Sequence, residues 1–446
     1  MPDNLLTREQ RQYLEKLVEE TADESLSRRA RVLLLYDDQL ATRHVAEGAG
    51  LSRGRTRYWR RQFQGRGMAI FSRDQKFPDL RPTEPKDGEE QAGEPAQGKA
   101  TRPKKTKDGG GAPTDTRSVL DEFAAATKAL GSPGVLSDDP LAEAGRKVWR
   151  YHFAMMLLHE EGTLLGEDIE ELHDMRVATR RMRAAFDVFG SAFAPKAIKR
   201  HLRGLRATGR ALGQVRDLDV FIDKAQRYQV SLSPEHQRDL EPLLEAWARD
   251  RADARREMIA YLETSQYRDF KEKFYKFLST PGAGVLPRSD NLAIPYLVRE
   301  AAPVLIYNRL AAVRTFDTIL DQAALEQFHA LRIEFKKLRY TLEYFREVLG
   351  SEAKTVISEI KSMQDHLGDL NDADVAAGIL RDFLTRWDTL QAERPVAERR
   401  GPEPILTYLA SRYAERQRLM LSFKEAWLQF NRPQLRQELA KAVAVL

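Results

Sequence analysis

Residues 173–183 read HDMRVATRRMR, and residues 329–339 read HALRIEFKKLR. Each stretch opens with a histidine, sets an arginine three positions on, and follows with a basic pair. With His173 laid on His329, a shift of 329 − 173 = 156, Arg176 falls on Arg332 and Arg180 on Lys336. Arg181 likewise falls on Lys337, Arg183 on Arg339 and Phe189 on Phe345. Downstream, LGQVRDLDV from 212 matches LGDLNDADV from 367 at a shift of 155. Two motifs in one order at nearly one spacing mark an internal duplication, with halves of about 136–285 and 288–446. Each half is long enough for a four-helix unit. The expected fold class is therefore all-α: two tandem four-helix bundles related by pseudo-twofold symmetry, which would bring both basic motifs to a shared place.

At 100° per residue, His173, Arg176, Arg180 and Arg183 share an arc of about 80°. Met175, Met182, Phe186 and Phe189 gather on another face, so one side builds core while its neighbour aligns cations. His329, Arg332, Lys336 and Arg339 repeat the arc, with Leu331, Leu338 and Leu342 as the apolar side. The next helix, KAIKRHLRGLRATGRALG from 196, adds Lys199, Arg203, Arg206 and Arg210. These make a narrow stripe about 16 Å long. The 155 shift puts Lys199 on Lys354 and Arg206 on Lys361, but Arg203 on Ser358 and Arg210 on Asp365, so the second stripe is weaker. From His173 to Arg216 there are eleven basic residues and two acids. Like charges four apart disfavour a bare helix. A polyvalent anion would relieve that repulsion and gain charge-assisted hydrogen bonds from the guanidinium forks. The plainer reading is a solvated face paired with acids, for which Asp217, Asp219, Asp372 and Asp374 are available as partners or helix caps. Duplication of two stripes, among so few acids, favours the anion.

The rest of the chain frames this region. Its 446 residues suggest two or three domains, and no apolar run approaches the roughly 20 residues that a bilayer needs. No secretory leader is evident, so a cytoplasmic protein is expected. Zero cysteines exclude disulfides and cysteine-ligated metal. Residues 118–446 carry 49 basic against 48 acidic side chains, so an anion site there must be a focused patch. Helix breaks are expected at Gly166, Gly190–Pro195, Gly213, Ser233-Pro234, Pro281–Pro287 and Gly350. Residues 74–117, with six Pro, six Gly and one aromatic, read as a disordered linker.

Ahead of that linker, residues 1–73 read as a small helical unit. In TRHVAEGAGLSRGRTRYWRRQF from 42, a short helix meets Gly50 and Ser52 caps the next, with Val45, Ala46, Leu51, Trp59 and Phe63 inside. This is helix–turn–helix spacing. Arg53, Arg55, Thr56 and Arg57 open the second helix, where recognition helices read bases, and Arg60 and Arg61 are placed to hold phosphates. From Arg43 to Arg73 eight arginines face one acid. The segment resembles the helix–turn–helix at the head of some transposases, over about 50 residues and without their catalytic domain. DNA is the implied partner.

At LHDMRVATRRMRAAFDVF and FHALRIEFKKLRYTLEYF, with LGQVRDLDVF and MQDHLGDLNDADV downstream, the chain resembles the CHAD family, the conserved histidine α-helical domain. The resemblance covers about 136–446. It implies two bundles about a pseudo-twofold axis, a basic central cavity that binds inorganic polyphosphate, and no catalysis by this domain. Carried over, the polyphosphate-binding residues are His173, Arg176, Arg180, Arg183, Lys199, Arg203, Arg206, Arg210, His329, Arg332, Lys336, Arg339, Lys354 and Lys361. Arg181 and Lys337 belong to the motif but point about 80° from the histidines. They are expected at the ends of the ligand or against a neighbouring helix. Both histidines are expected to strengthen anion binding once protonated, toward pH ~6.

Two rival classes fit the residues less well. A nucleic-acid regulator would need stacking platforms among its cations, and Tyr340 is the main aromatic near them. A metal-dependent phosphohydrolase would need Asp217/Asp219 and Asp372/Asp374 to hold magnesium, yet no second His–Asp set or phosphate loop accompanies them. No catalytic residue, metal ligand or cofactor is assigned.

Overall fold

The computed structural model describes residues 5–21 and 24–50, positions 56, 59, 60, 63, 68 and 71, and 116–446 apart from 234–235, 292 and 321–322. The chain divides into two units, Met1–Pro113 and Thr114–Leu446. Among the described residues there are helices and no strands, so the fold is all-α.

The first unit holds α1 (Arg8–Glu20), α2 (Glu24–Asp37) and α3 (Thr42–Ala49). Thr7 opens α1 with a capping box: its hydroxyl accepts from the Gln10 N–H, and the Gln10 side chain accepts from the Thr7 N–H. Asp37, buried at the end of α2, accepts from Arg11 at 2.7 Å and from the Leu6 N–H at 2.9 Å. That satisfies a carboxylate which would be costly to bury alone. Val45, Trp59 and Phe63 join Leu14, Leu17 and Leu33 in one core, as their spacing predicts. Leu51 and the expected cap Ser52 lie outside the described residues, as do Arg53, Arg55, Arg57 and Arg61. Thr56 corrects the reading of the second helix: it is wholly buried, so its side chain serves the core and not a DNA surface. Arg60 is exposed, its guanidinium 4.9 Å from the centre of the Tyr36 ring.

The second unit opens with α4 (Thr116–Ala129), which begins two residues inside the range 74–117 expected to be linker; 74–115 lie outside the described residues. Then come two runs of six helices, alike in their motif helix and the long helix after it and differing in where the short helix falls. The first half has α5 (Leu141–Leu158), short α6 (Glu160–Leu165), α7 (Ile169–Phe189), α8 (Pro195–Ser231), α9 (Glu241–Leu262) and α10 (Ser265–Ser279). The second has α11 (Val298–Arg314), α12 (Leu325–Phe345), α13 (Ala353–Thr385), short α14 (Trp387–Ala392), α15 (Glu403–Phe430) and α16 (Pro433–Val443). The motif helices α7 and α12 are each 21 residues long, and both of their ends lie 156 apart (325 − 169 and 345 − 189).

The halves meet reciprocally where α5 and α11 begin. The Leu141 N–H donates to the Tyr296 carbonyl at 2.8 Å, and the Val298 N–H donates to the Asp139 carbonyl at 2.9 Å. Donor and acceptor are each moved by 157 (298 − 141 and 296 − 139), so equivalent groups exchange roles. The equivalent rings of Phe189 and Phe345 also touch edge to face, with centroids 5.5 Å apart. A contact between a residue and its own equivalent is the mark of a local twofold. One continuous core runs through both halves, and a second cluster binds Phe221 and Trp247 to Leu380, Trp387 and Tyr408 beyond it.

Two glycines were read alike in the sequence and act differently. Gly166 does end a helix: its φ of 67° closes α6, whose last carbonyls, Thr163 and Leu164, accept from Arg255 at 3.2 and 2.7 Å. Gly213 does not break α8, which runs unbroken for 37 residues. The Arg176 guanidinium lies beside it and donates to its carbonyl at 3.3 Å.

Candidate functional site

The motif helices α7 and α12 pack together, and each pairs with the long helix that follows it in its own half. Met175, Met182 and Phe189 bury one side of α7, and Leu331, Leu338 and Leu342 bury one side of α12. The cationic faces are thereby turned to one locale. Lys336 reports how crowded it is. Its ammonium is pushed down to about 8, first by burial and then by Arg180, Arg332 and Arg183, with Asp187 opposing. Two of those three arginines come from the other half. Arg183 is itself lowered by burial and then by Arg206, with Arg210 and Arg176 adding and Asp187 opposing. Cations from α7, α8 and α12 therefore form one interacting set.

Arg180, Arg183, Arg332 and Lys336 have no carboxylate within ion-pair distance among the described residues. The Nε atoms of Arg180 and Arg332 are buried with no acceptor there. An unsatisfied buried donor costs roughly 1–3 kcal/mol, more when charged. The repeated Leu-Gly of the downstream motif lies beside these side chains: a Cβ on Gly213 would be in ordinary contact with the Arg176 guanidinium carbon at 4.0 Å, and one on Gly368 with Arg332 Nε at 3.9 Å.

Other expected ligands are already engaged. Arg176 binds Asp217 at 2.7 Å. Arg181 pairs with Glu343 at 3.3 Å, and Lys337 with Glu334 at 2.6 Å. Arg181 thus meets the neighbouring helix α12, the second of its two expected places, whereas Lys337 binds a carboxylate of its own helix. Arg339 lies 3.6 Å from Glu343 and 5.1 Å from the Tyr340 ring centre. The four acids downstream are charge partners as well: Asp372 with Lys224 at 3.0 Å, Asp374 with Arg416 at 2.7 Å, and Asp219 with Arg251. Among the described residues no group of three His, Asp or Glu side chains could hold a metal ion.

The two histidines differ. His173 is lowered by burial and then by Arg216, with Arg180 and Arg176 adding and Asp174 opposing. It takes up a proton only below the usual histidine range, which corrects its expected gain toward pH ~6. His329 instead pairs its Nδ1 with Asn371 Oδ1 at 2.9 Å. Arg216 and Asn371 are equivalent (371 − 216 = 155), so one motif position contributes to both environments.

Lys199, Arg203, Arg206 and Arg210 are all exposed along α8, and the last three line a cleft of about 730 Å³ against α10. Lys354 and Lys361 are exposed on α13. Three residues escaped the sequence reading. Arg146 is almost fully buried and donates to the carbonyls of Phe277 at 2.6 Å and Ala283 at 3.0 Å. His152 is driven down to about 3 by burial and Arg181. Lys273, in the α10 wall of the cleft, was invisible because it belongs to no repeated motif.

The CHAD domain model matches residues 147–381, just over half of the chain. The chain is 28% identical over 281 residues to Uncharacterized protein MT2285 and to Uncharacterized protein Rv2226, both of Mycobacterium tuberculosis. Each match covers 60% of this chain, which spans about half the length of these curated relatives. Among solved structures, the CHAD domain from the plant Ricinus communis has 19% identity and a TM-score of 0.47, covering 70% of this chain and 94% of its own. PptA from Streptomyces chartreusis has 17% identity and a TM-score of 0.46, covering 65% of this chain and all of its own.

Proposed function

The chain belongs to the CHAD family, and from that premise we propose that it binds inorganic polyphosphate through the cations gathered between α7, α8 and α12. One observation carries this: Arg180, Arg183, Arg332 and Lys336 converge from both halves with no carboxylate partner among the described residues. A linear phosphate chain offers acceptor oxygens at every unit and little apolar surface, which suits guanidinium donors at close quarters. Binding is non-covalent, and no residue is assigned a chemical step, since the acids that could have held a metal are taken up by Arg176, Arg251, Lys224 and Arg416.

Single-stranded nucleic acid is the weaker ligand for this site. Bases need exposed rings to stack on. Tyr340, the main aromatic near the stripe, is 1% exposed and stacks on Tyr344 instead. We also propose that the first unit contacts DNA, on the strength of its eight arginines between 43 and 73. The whole would then act as a polyphosphate-responsive regulator or as a tether between granule and nucleoid.

A competition titration of the full chain tests the central claim. Long-chain polyphosphate is set against single- and double-stranded DNA at about 150 mM salt, where weak phosphate contacts are screened. The expected result is polyphosphate binding that single-stranded DNA does not displace and that Arg180→Ala/Arg332→Ala weakens by about 100-fold. Binding unchanged in that double variant would refute the site.

A further inference from the structure

The first half carries a second basic wall that the second half lacks. Arg203, Arg206 and Arg210 stand on α8 with α10 opposite, lining a cleft of about 730 Å³ whose far side includes Lys273. The cleft has a stable frame. His201, 1% exposed, is held down to about 4 by burial and Arg200, and its Nε2 accepts from Arg200 Nε at 3.2 Å. Gly204 lets α10 come close, because a Cβ there would run into the Phe270 ring.

None of the three arginines has a carboxylate partner among the described residues, whereas Lys273 is tied to Asp269 at 2.7 Å. The arginines are continuous with the central set, because Arg206 and Arg210 act directly on Arg183. At the corresponding places on α13 stand Ser358 in place of Arg203 and Asp365 in place of Arg210. Arg203 and Arg210 are about 10 Å apart along the helix axis, a span that a single phosphate group cannot bridge.

We propose that the α8–α10 cleft is an arm of the anion site, into which a linear polyphosphate leaving the centre extends toward the first half only. This rests on the central reading above and adds a direction and a length requirement to it. A chain long enough to fill both centre and arm gains the contacts of Arg203 and Lys273; a short chain fills the centre alone.

The test uses the full chain with two probes, tripolyphosphate and long-chain polyphosphate, and three variants. Arg203→Ser/Lys273→Ser is expected to weaken the long chain about tenfold and leave tripolyphosphate unchanged. Asp269→Asn removes an exposed acid from the cleft and frees Lys273, so it is expected to tighten the long chain selectively. Arg332→Ala is expected to weaken both probes. Equal loss of both probes in Arg203→Ser/Lys273→Ser, or no loss of either, overturns the arm. If Arg332→Ala still weakens binding in that case, the central site survives the arm's failure. Absence of binding by the unaltered chain would overturn both.

Discussion

The two motif helices match residue for residue in length and place, yet they present their cations differently. On α7, Arg176 is offset by Asp217, and His173 is kept neutral by burial and by Arg216. On α12, Arg332 has no carboxylate partner among the described residues, and His329 is engaged by Asn371. The first acid of the downstream motif explains the contrast. Asp217 turns to the arginine of its own half, whereas its equivalent, Asp372, is taken by Lys224 from the other half. A duplicated sequence thus yields duplicated helices but an uneven field. Each half supplies two cations at the centre that are unpaired among the described residues, Arg180 and Arg183 from the first and Arg332 and Lys336 from the second, and the first adds the longer stripe beside them.

The largest effect should come from that unevenness. Arg332→Ala removes an uncompensated cation and is expected to weaken polyphosphate binding about tenfold. Removing the paired residues together, Arg176→Ala/Asp217→Ala, leaves the local charge unchanged and should cost no more than about threefold. Equal losses in a binding titration would break the distinction between the halves.

A smaller effect follows from pH. Lys336 has a folded value of about 8, below its usual 10.5, so it is charged below that pH and loses its proton as pH rises through it. Affinity for polyphosphate should therefore fall between about pH 7 and 9, and Lys336→Arg, which keeps its charge, should flatten the fall. The same shift has a stability counterpart. Between about 8 and 10.5 the unfolded chain binds the proton more readily, so stability attributable to this group rises with pH across that window. A bound polyanion should reverse the balance, raising Tm more at pH ~7 than at pH ~9. A Tm increment that does not change with pH would count against Lys336 as a ligand.

The smallest effect is spectroscopic. Arg216→Asn gives the first half the second half's residue and should raise the titration midpoint of His173 in an NMR pH series, while burial keeps it below the usual value. No upward movement would remove Arg216 as the cause of the contrast.

Much of this was legible in the sequence, for reasons tied to particular residues. Helix periodicity alone located the faces of α7 and α12, because Met175, Met182, Leu331 and Leu338 obey the same 3.6-residue repeat that aligns the cations. Local spacing could not say which cations would be neutralised across helices. Glu343 reaches Arg181 over a sequence distance of 162 (343 − 181), and Lys224 reaches Asp372 over 148. Nor could it tell the glycine that ends α6 from the one that α8 runs straight through, since both read as breakers. The buried Arg146 was hidden for a similar reason: its acceptors, Phe277 and Ala283, lie more than 130 residues away.

The exchanged hydrogen bonds at the starts of α5 and α11 have a historical consequence. An isologous joint is what two identical chains make when they meet about a twofold axis. A single-motif ancestor carrying Leu141-like and Asp139-like positions would have possessed both sides of this joint in every copy. While the copies were separate, every substitution had to be tolerated twice. Once they were joined end to end, each side could change alone, and an arginine at 216 could come to face an asparagine's place at 371. The bonds between residues 139–141 and 296–298 are thus the shared seam across which the two halves became free to differ.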